Sequence, residues 1–337
     1  MARAMSVTYG AVGWNRAKKL YDLTILAGLV VYLALFMGIG AIAHPQATFE
    51  TLAIRALATA AFLMLHLILS IGPLARLNPK LLPLLYNRRH LGVATFLVAV
   101  AHALFAVFQF HAQGNVNPVF GLLTTGWGFQ TLGLAALMIL FVMAATSHDF
   151  WLANLTPRVW KALHMSVYVA YALIVLHVAL GALRSEPQPL LAVVTAAGMV
   201  WLLSLHVLAA RREAPRDRPA SARPDGWIDA GLVSEIEDAR ARIVCAAERI
   251  AVFRYDGKIS AVSNVCRHQA GPLGEGRIID GCITCPWHGY QYLPASGCAP
   301  APFTEKVETY DVRIVGGRIF VNPEAHPPGT PVEPARV

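Results

Sequence analysis

Residues 266–289, CRHQAGPLGEGRIIDGCITCPWHG, place His268 two positions after Cys266 and His288 three positions after Cys285. Two thiolates and two imidazoles on neighbouring loops can hold a [2Fe-2S] cluster in which the cysteines bind one iron and the histidines the other. A zinc site built from Cys266, Cys282, Cys285 and a histidine is the alternative, because CITC has zinc-ligand spacing. A dithiol redox pair at CITC lacks the helix pattern that should follow it. Cys-x-His with Cys-x-x-His suits the mixed iron–sulfur centre best, with Cys266, His268, Cys285 and His288 as its expected ligands. Cys245, Cys282 and Cys298 have no assigned role and read as small buried thiols.

A second set of chemistry-bearing residues lies in apolar surroundings. His66, His102, His164, His177 and His206 fall inside long hydrophobic stretches, and His90 stands at the start of another. An imidazole at membrane depth is costly without a partner, so a functional site is the default reading. For one isolated histidine, a hydrogen bond to a neighbouring helix explains it as well.

The elements that must position these groups follow from composition. The chain has 337 residues, of which 56% are hydrophobic and 14% charged, against about 25% charged in soluble domains. Six apolar stretches are long enough to cross a bilayer core, at roughly 22–43, 51–73, 91–110, 129–147, 160–182 and 190–210. Short connections predict an all-α six-helix membrane bundle over 1–210. Residues 211–224, rich in proline and charge, read as a flexible linker, 225–323 as a small antiparallel all-β domain, and 324–337 as a tail.

Lys and Arg fall before the first stretch, between the second and third, between the fourth and fifth, and after the sixth. This places both termini in the cytoplasm of a cell whose inner membrane holds the protein. The first stretch, with a basic start and GAIA near its end, also resembles a signal peptide, but its apolar run is too long for one and reads as an anchor. Residues 225–324 carry thirteen acids and ten bases, a balance of −3, which leaves +11 of the net +8 elsewhere. That surplus borders the apolar stretches and fits membrane topology, and no interleaving of aromatic and basic residues points to nucleic acid.

With this topology His66 and His164 lie in the inner leaflet, roughly 6–10 Å from its boundary, while His102 and His177 lie deeper, in the outer half. Two layers of facing imidazoles are what two b-type haems with axial histidines require, and one haem on His102 and His177 is the lesser alternative. His90 or His206 could replace His66 as the inner partner. Thirteen residues separate His164 from His177, about 20 Å of rise but about 220° of rotation on an ideal helix, so the fifth stretch must bend or bulge to present both.

Residues 20–210 resemble the ferric reductase-like transmembrane domain of metalloreductases and NADPH oxidases. The resemblance rests on GPLARL, on NRRHLGVATFLVAVAHALF with His102, and on VWKALHMSVYVAYALIVLH with His164 and His177. It implies haem ligands from the third and fifth spans, and His66 in the second departs from it. Residues 225–323 resemble Rieske ferredoxins and the Rieske domains of aromatic-ring oxygenases, with CPWHGYQYLPASG as the second ligand loop. Respiratory Rieske proteins carry a loop-joining disulfide and a serine hydroxyl on a cluster sulfur. Here Gly271 and Trp287 take the cysteine positions, and Tyr290 the serine position. The resemblance therefore implies no clamp and a potential near the lower end of the Rieske range, about −150 mV. Tyr292 either keeps one sulfur hydrogen bond or packs, packing being favoured.

RYDGKI, IIDGCI and IVGGRI put two-residue turns between β-rich runs, as a series of hairpins requires. No G-x-G-x-x-G follows a strand, so a separate ferredoxin or NAD(P)H-dependent reductase is the expected cytoplasmic electron donor. The combined expectation is an oxidoreductase component that moves electrons from the cluster to membrane haem and on to an acceptor at the far face, or to a quinone. The rivals are a quinone-linked cytochrome b/Rieske oxidoreductase and a non-redox membrane protein with a metal-binding sensing domain. A monooxygenase or desaturase would need a histidine cluster that the sequence lacks.

Overall fold

The computed structural model describes residues 16–85, 88–111, 128–147, 151, 154–155, 157–185, 189–214, 223–287 and 289–337. His288, most of the linker and parts of two inter-helix connections lie outside the described residues.

The N-terminal half is helical: α1 (Arg16–Ala43), α2 (Phe49–Leu77), α3 (Arg88–His111), α4 (Phe129–Ala145), α5 (Pro157–Met165), α6 (Val167–Leu180), α7 (Ala182–Ser185) and α8 (Pro189–Glu213). Among the described residues five helical stretches are long and apolar enough to cross a membrane, while α4, with 17 residues, is shorter. Thr48 caps α2 by accepting the Thr51 N–H at 3.3 Å, and a 3-10 turn, Pro79–Leu85, leads towards α3. Helix α2 packs against α1, α3 and α8, and α4 packs against α3 and α6. Polar contacts tie the helices: Tyr32 with Thr59 at 2.8 Å, Gln109 with Thr51 at 3.0 Å, and Trp201 with Ser70 at 3.0 Å.

The expected bend in the fifth stretch is a break at Ser166. The Leu163 carbonyl accepts the Ser166 N–H at 3.1 Å and the Ser166 hydroxyl at 2.6 Å. A serine that bonds back to its own helix tightens the turn and bends it. Ser166 keeps right-handed helical dihedrals, φ −62° and ψ −10°, so the departure from an ideal helix between His164 and His177 is this one tightened turn.

The C-terminal half is an antiparallel β domain: β1 (Ile228–Leu232), β2 (Ala241–Cys245), β3 (Arg249–Tyr255), β4 (Lys258–Ser263), β5 (Arg277–Ile279), β6 (Cys282–Thr284), β7 (Gln291–Tyr292), β8 (Thr309–Tyr310), β9 (Val312–Val315), β10 (Arg318–Val321) and β11 (Ala335–Arg336). Its sheets run β1-β10-β9, β11-β4-β3-β2 with β8 beside β4, and β5-β6-β7. The expected tight turns are present, with positive φ at both Asp256-Gly257, Asp280-Gly281 and Gly316-Gly317, the geometry that matches strand twist in a hairpin.

Strand β3 is buried on both faces, as a strand between two layers must be. Ile250 and Val252 join one core with Ile228, Ile259 and Ile319. Ala251 and Phe253 join a second core with Leu273, Ile283, Tyr292 and both Cys266 and Cys285. The segment 324–337, expected as a tail, is instead built into the domain. His326 bonds to Thr309 at 2.9 Å, Val332 bonds to Ala295 at 2.8 Å, and β11 closes the edge of β4. Its prolines resemble a loose end in sequence, but its backbone groups are satisfied by distant strands.

Candidate functional site

The two ligand loops share one backbone device. In the first, Cys266 N–H donates to Gly271 O at 2.9 Å and Cys266 O accepts from Ala270 N–H at 2.8 Å. In the second, Cys285 N–H donates to Tyr290 O at 2.8 Å and Cys285 O accepts from Gly289 N–H at 2.9 Å. Each loop thus turns over a left-handed residue four positions after its cysteine, Ala270 at φ 57° and Gly289 at φ 70°. The left-handed region costs an alanine about 1–2 kcal/mol, so the first loop holds this conformation against local preference.

The loops meet across Gly271, where an added Cβ would sit 2.7 Å from Cys285 Sγ and 3.2 Å from the Trp287 ring. The two positions that carry the clamp in respiratory relatives therefore do face each other here, without sulfur. Cys266, Cys285 and His268 are buried, and the His268 ring stacks on Tyr290 at 5.1 Å and 7°. Burial pushes the Cys266 thiol up, but hydrogen bonds from the Cys285 thiol, the Tyr292 hydroxyl and the N–H groups of His268 and Gln269 outweigh it and hold the thiol below its ordinary range. These donors shift Cys266 towards its thiolate form, the direction that iron ligation needs.

Tyr292 settles between the two readings its sequence left open. It is fully buried, and its hydroxyl lies 3.4 Å from Cys266 Sγ while accepting the Arg267 N–H at 3.0 Å. Burial, then the charge of Cys266, pushes the phenol far above its ordinary range, so it stays protonated and donates to the sulfur. Packing, the favoured expectation, is only half of its role. Tyr290, in the serine position, gives its hydroxyl to Glu305 instead.

Cys282 is buried in β6, while Cys245 and Cys298 are half-buried. Among the described residues no three His, Cys, Asp or Glu side chains gather around one point that could hold a metal ion. Cys266 and Cys285 meet through a thiol hydrogen bond, and His268, two residues on, is buried as well, a thiolate and imidazole set that fits a two-iron cluster.

In the helical half the structure brings His102 and His177 together, with ring centroids 6.3 Å apart and planes at 77°. Each gives its Nδ1–H to another helix: His102 to Ile54 O of α2 at 3.1 Å, His177 to Phe129 O of α4 at 2.7 Å. A carbonyl oxygen only accepts, so the proton is on Nδ1 and the lone pair on Nε2, the arrangement an axial ligand needs. With the rings this close and both Nδ1 protons committed to carbonyls, His102 and His177 could offer their Nε2 lone pairs to one iron. Among the described residues no hydrogen bond occupies either Nε2. The pair fits a haem iron.

His66 and His164 face different neighbours. His66 donates Nδ1–H to Phe62 O of its own helix at 2.8 Å and accepts the Tyr171 hydroxyl on Nε2 at 3.0 Å. His164 donates to Trp160 O at 3.0 Å and meets Ser147 Oγ at 3.5 Å. His206 is held in the same way by Leu202 O and the Tyr168 hydroxyl, each at 2.8 Å, and His90 by Asp22 at 2.8 Å. Two glycines, unsuspected from sequence, make room for the rings: a Cβ at Gly133 would lie 2.8 Å from His177 Nδ1, and one at Gly198 2.2 Å from His66 Nε2. A lone glycine in an apolar run gives no signal of what it faces.

Comparison with known proteins agrees with this division. Residues 226–311 match the Rieske [2Fe-2S] domain family and residues 55–175 the ferric reductase like transmembrane component family. The anthranilate 1,2-dioxygenase ferredoxin subunit of Burkholderia cepacia is 38% identical over 98 residues, which cover 28% of this chain and 91% of that protein. The ferredoxin component of the naphthalene 1,2-dioxygenase system of Pseudomonas aeruginosa is 31% identical over 98 residues, 28% of this chain and 94% of that one. The oxygenase component of a probable 3-ketosteroid-9-alpha-monooxygenase of Rhodococcus rhodochrous is 32% identical over 104 residues, 28% of this chain and 26% of its own length. This chain thus spans nearly all of the ferredoxins and about a quarter of that oxygenase. A solved complex of reduced oxygenase and oxidized ferredoxin in carbazole 1,9a-dioxygenase aligns over 30% of this chain and 97% of that one, with 26% identity and a TM-score of 0.29.

Proposed function

We propose, from the premise that the chain belongs to the Rieske [2Fe-2S] family and joins that domain to a ferric reductase like transmembrane component, that it carries electrons from a cytoplasmic cluster to haem in the membrane. The two domains indicate electron transfer in an oxidoreductase, and the apolar helices a membrane protein. The six-span count, cytoplasmic termini and residence in a cell's inner membrane are part of the proposal, supported by the distribution of Lys and Arg.

Cluster and haem supply one-electron exchange when bound. The chain supplies ligands, spacing and dielectric. Cys266 and Cys285 with His268 and His288 would hold the cluster, and His102 and His177 one b-type haem. The observation that carries the reading is the His102–His177 pair, anchored through Nδ1 to neighbouring helices, at a separation that suits axial ligation. His66 and His164 are proposed to hold a second haem nearer the cytoplasm, each giving up its present partner, Tyr171 or Ser147. A soluble ferredoxin or NAD(P)H-dependent reductase would be the donor, and an acceptor at the far face or a quinone would take the electrons.

Haem and iron quantification with reduced-minus-oxidised spectra, on wild type and on single His→Ala variants, tests this. His102→Ala and His177→Ala should each lose one haem while the iron of the cluster stays. Full haem content in either variant would overturn the assignment, and full content in His66→Ala or His164→Ala would remove the second haem.

A further inference from the structure

Trp287 lies in the second ligand loop, between Cys285 and the position of His288. It packs against the core that contains Cys266 and Cys285. It also packs against a separate apolar group of the membrane half, formed by Ile71, Ala75, Leu85 and Leu91 at the adjoining ends of α2, the 3-10 turn and α3. The guanidinium of Arg88 sits 5.5 Å from its ring centroid. Gly72 lies beside that guanidinium, since a Cβ there would be in ordinary contact with it at 3.5 Å. The same end of the bundle carries the close of α8, where Glu213 pairs with Arg76 at 3.6 Å and Arg212 bonds to Leu77 O.

From these contacts we infer that Trp287 is the docking residue of the ligand loop: it seats the cluster end of the Rieske domain in an apolar socket of the membrane domain and so fixes the spacing for electron transfer. An indole is large, apolar and rigid, which suits an anchor, and its face attracts a guanidinium. Arg88 also places a cation beside a loop whose metal group gains negative charge on reduction. His66 lies five residues from Ile71, about 7.5 Å of helical rise, so the socket is within two turns of a proposed inner imidazole along α2. The inference rests on the electron-transfer reading above and adds the route between domains. In the step concerned, one electron leaves the reduced cluster and converts one ferric haem to ferrous, with no proton or further reactant.

The test uses the full chain in lipid nanodiscs. A one-electron chemical reductant is mixed rapidly, and cluster bleaching and haem absorbance are followed. A Cys285→Ser variant without the cluster gives the direct reduction of haem. Trp287→Ala should keep its paramagnetic resonance signal and haem content yet slow cluster-dependent haem reduction by about tenfold or more, since small misplacements are costly. Trp287→Phe should recover most of the rate. Wild-type speed in Trp287→Ala with an intact cluster signal would overturn the inference. Should Trp287→Ala lose its cluster, Arg88→Glu takes its place, being outside the cluster fold. Hydroxyl-radical footprinting supplies an independent reading: oxidation of Trp287 should rise several-fold in Arg88→Glu, and an unchanged oxidation rate would also sink the docking. If wild type shows no cluster-dependent haem reduction beyond Cys285→Ser, the electron-transfer reading fails, and the footprint alone then decides the docking.

Discussion

At the first ligand loop the Cys266 sulfur receives a hydroxyl and two backbone N–H groups while it is wholly buried. Donors aimed at sulfur favour whichever redox state carries more negative charge there, which is the reduced one. Tyr292→Phe removes one such donor and leaves the ring in place. Its worth is about 1 kcal/mol, so the cluster potential should drop by roughly 40 mV, given 59 mV per tenfold for one electron. A redox titration followed by paramagnetic resonance checks this, and an unchanged potential would mean that the bond is not made to a cluster ligand. The Rieske motif was legible in the sequence because its spacing is local. For Tyr292 the sequence offered both a sulfur hydrogen bond and packing and could not choose, because Tyr292 meets the first loop only through tertiary structure. The same holds for the tautomers: the sequence places histidines in apolar stretches, but which carbonyl fixes each Nδ1–H depends on helix packing.

Among the elements, α4 and α6 approach closely enough for His177 to lie against Gly133. Gly133→Ala would put a methyl where the ring now sits, push His177 off its bond to Phe129 O and weaken haem binding by about tenfold or more. Haem titration of the apoprotein measures this, and unaltered affinity would contradict the placement of His177. Apolar runs and turn dipeptides revealed the helices and the three hairpins, since each needs only its own residues. The break at Ser166 was visible only as a geometric demand, because the hydroxyl that captures Leu163 O could as well have faced lipid. Residues 324–337 were misjudged for a related reason: their partners, Thr309, Ala295 and Ile259, are distant in sequence.

In the whole molecule a hydrophobic contact joins the cluster fold to the membrane half, and this junction left no trace in the sequence. The composition shift after the last apolar stretch revealed two domains, and the motifs revealed their chemistry. How they touch depends on Trp287, which otherwise reads as part of a ligand loop. The central claim is that one electron path links the two halves. Rapid mixing of the full chain with a one-electron reductant, followed at cluster and haem wavelengths, tests it most directly. The account predicts that cluster bleaching precedes haem reduction and that haem is reduced far more slowly in Cys285→Ser. Equal haem reduction with and without the cluster would contradict it.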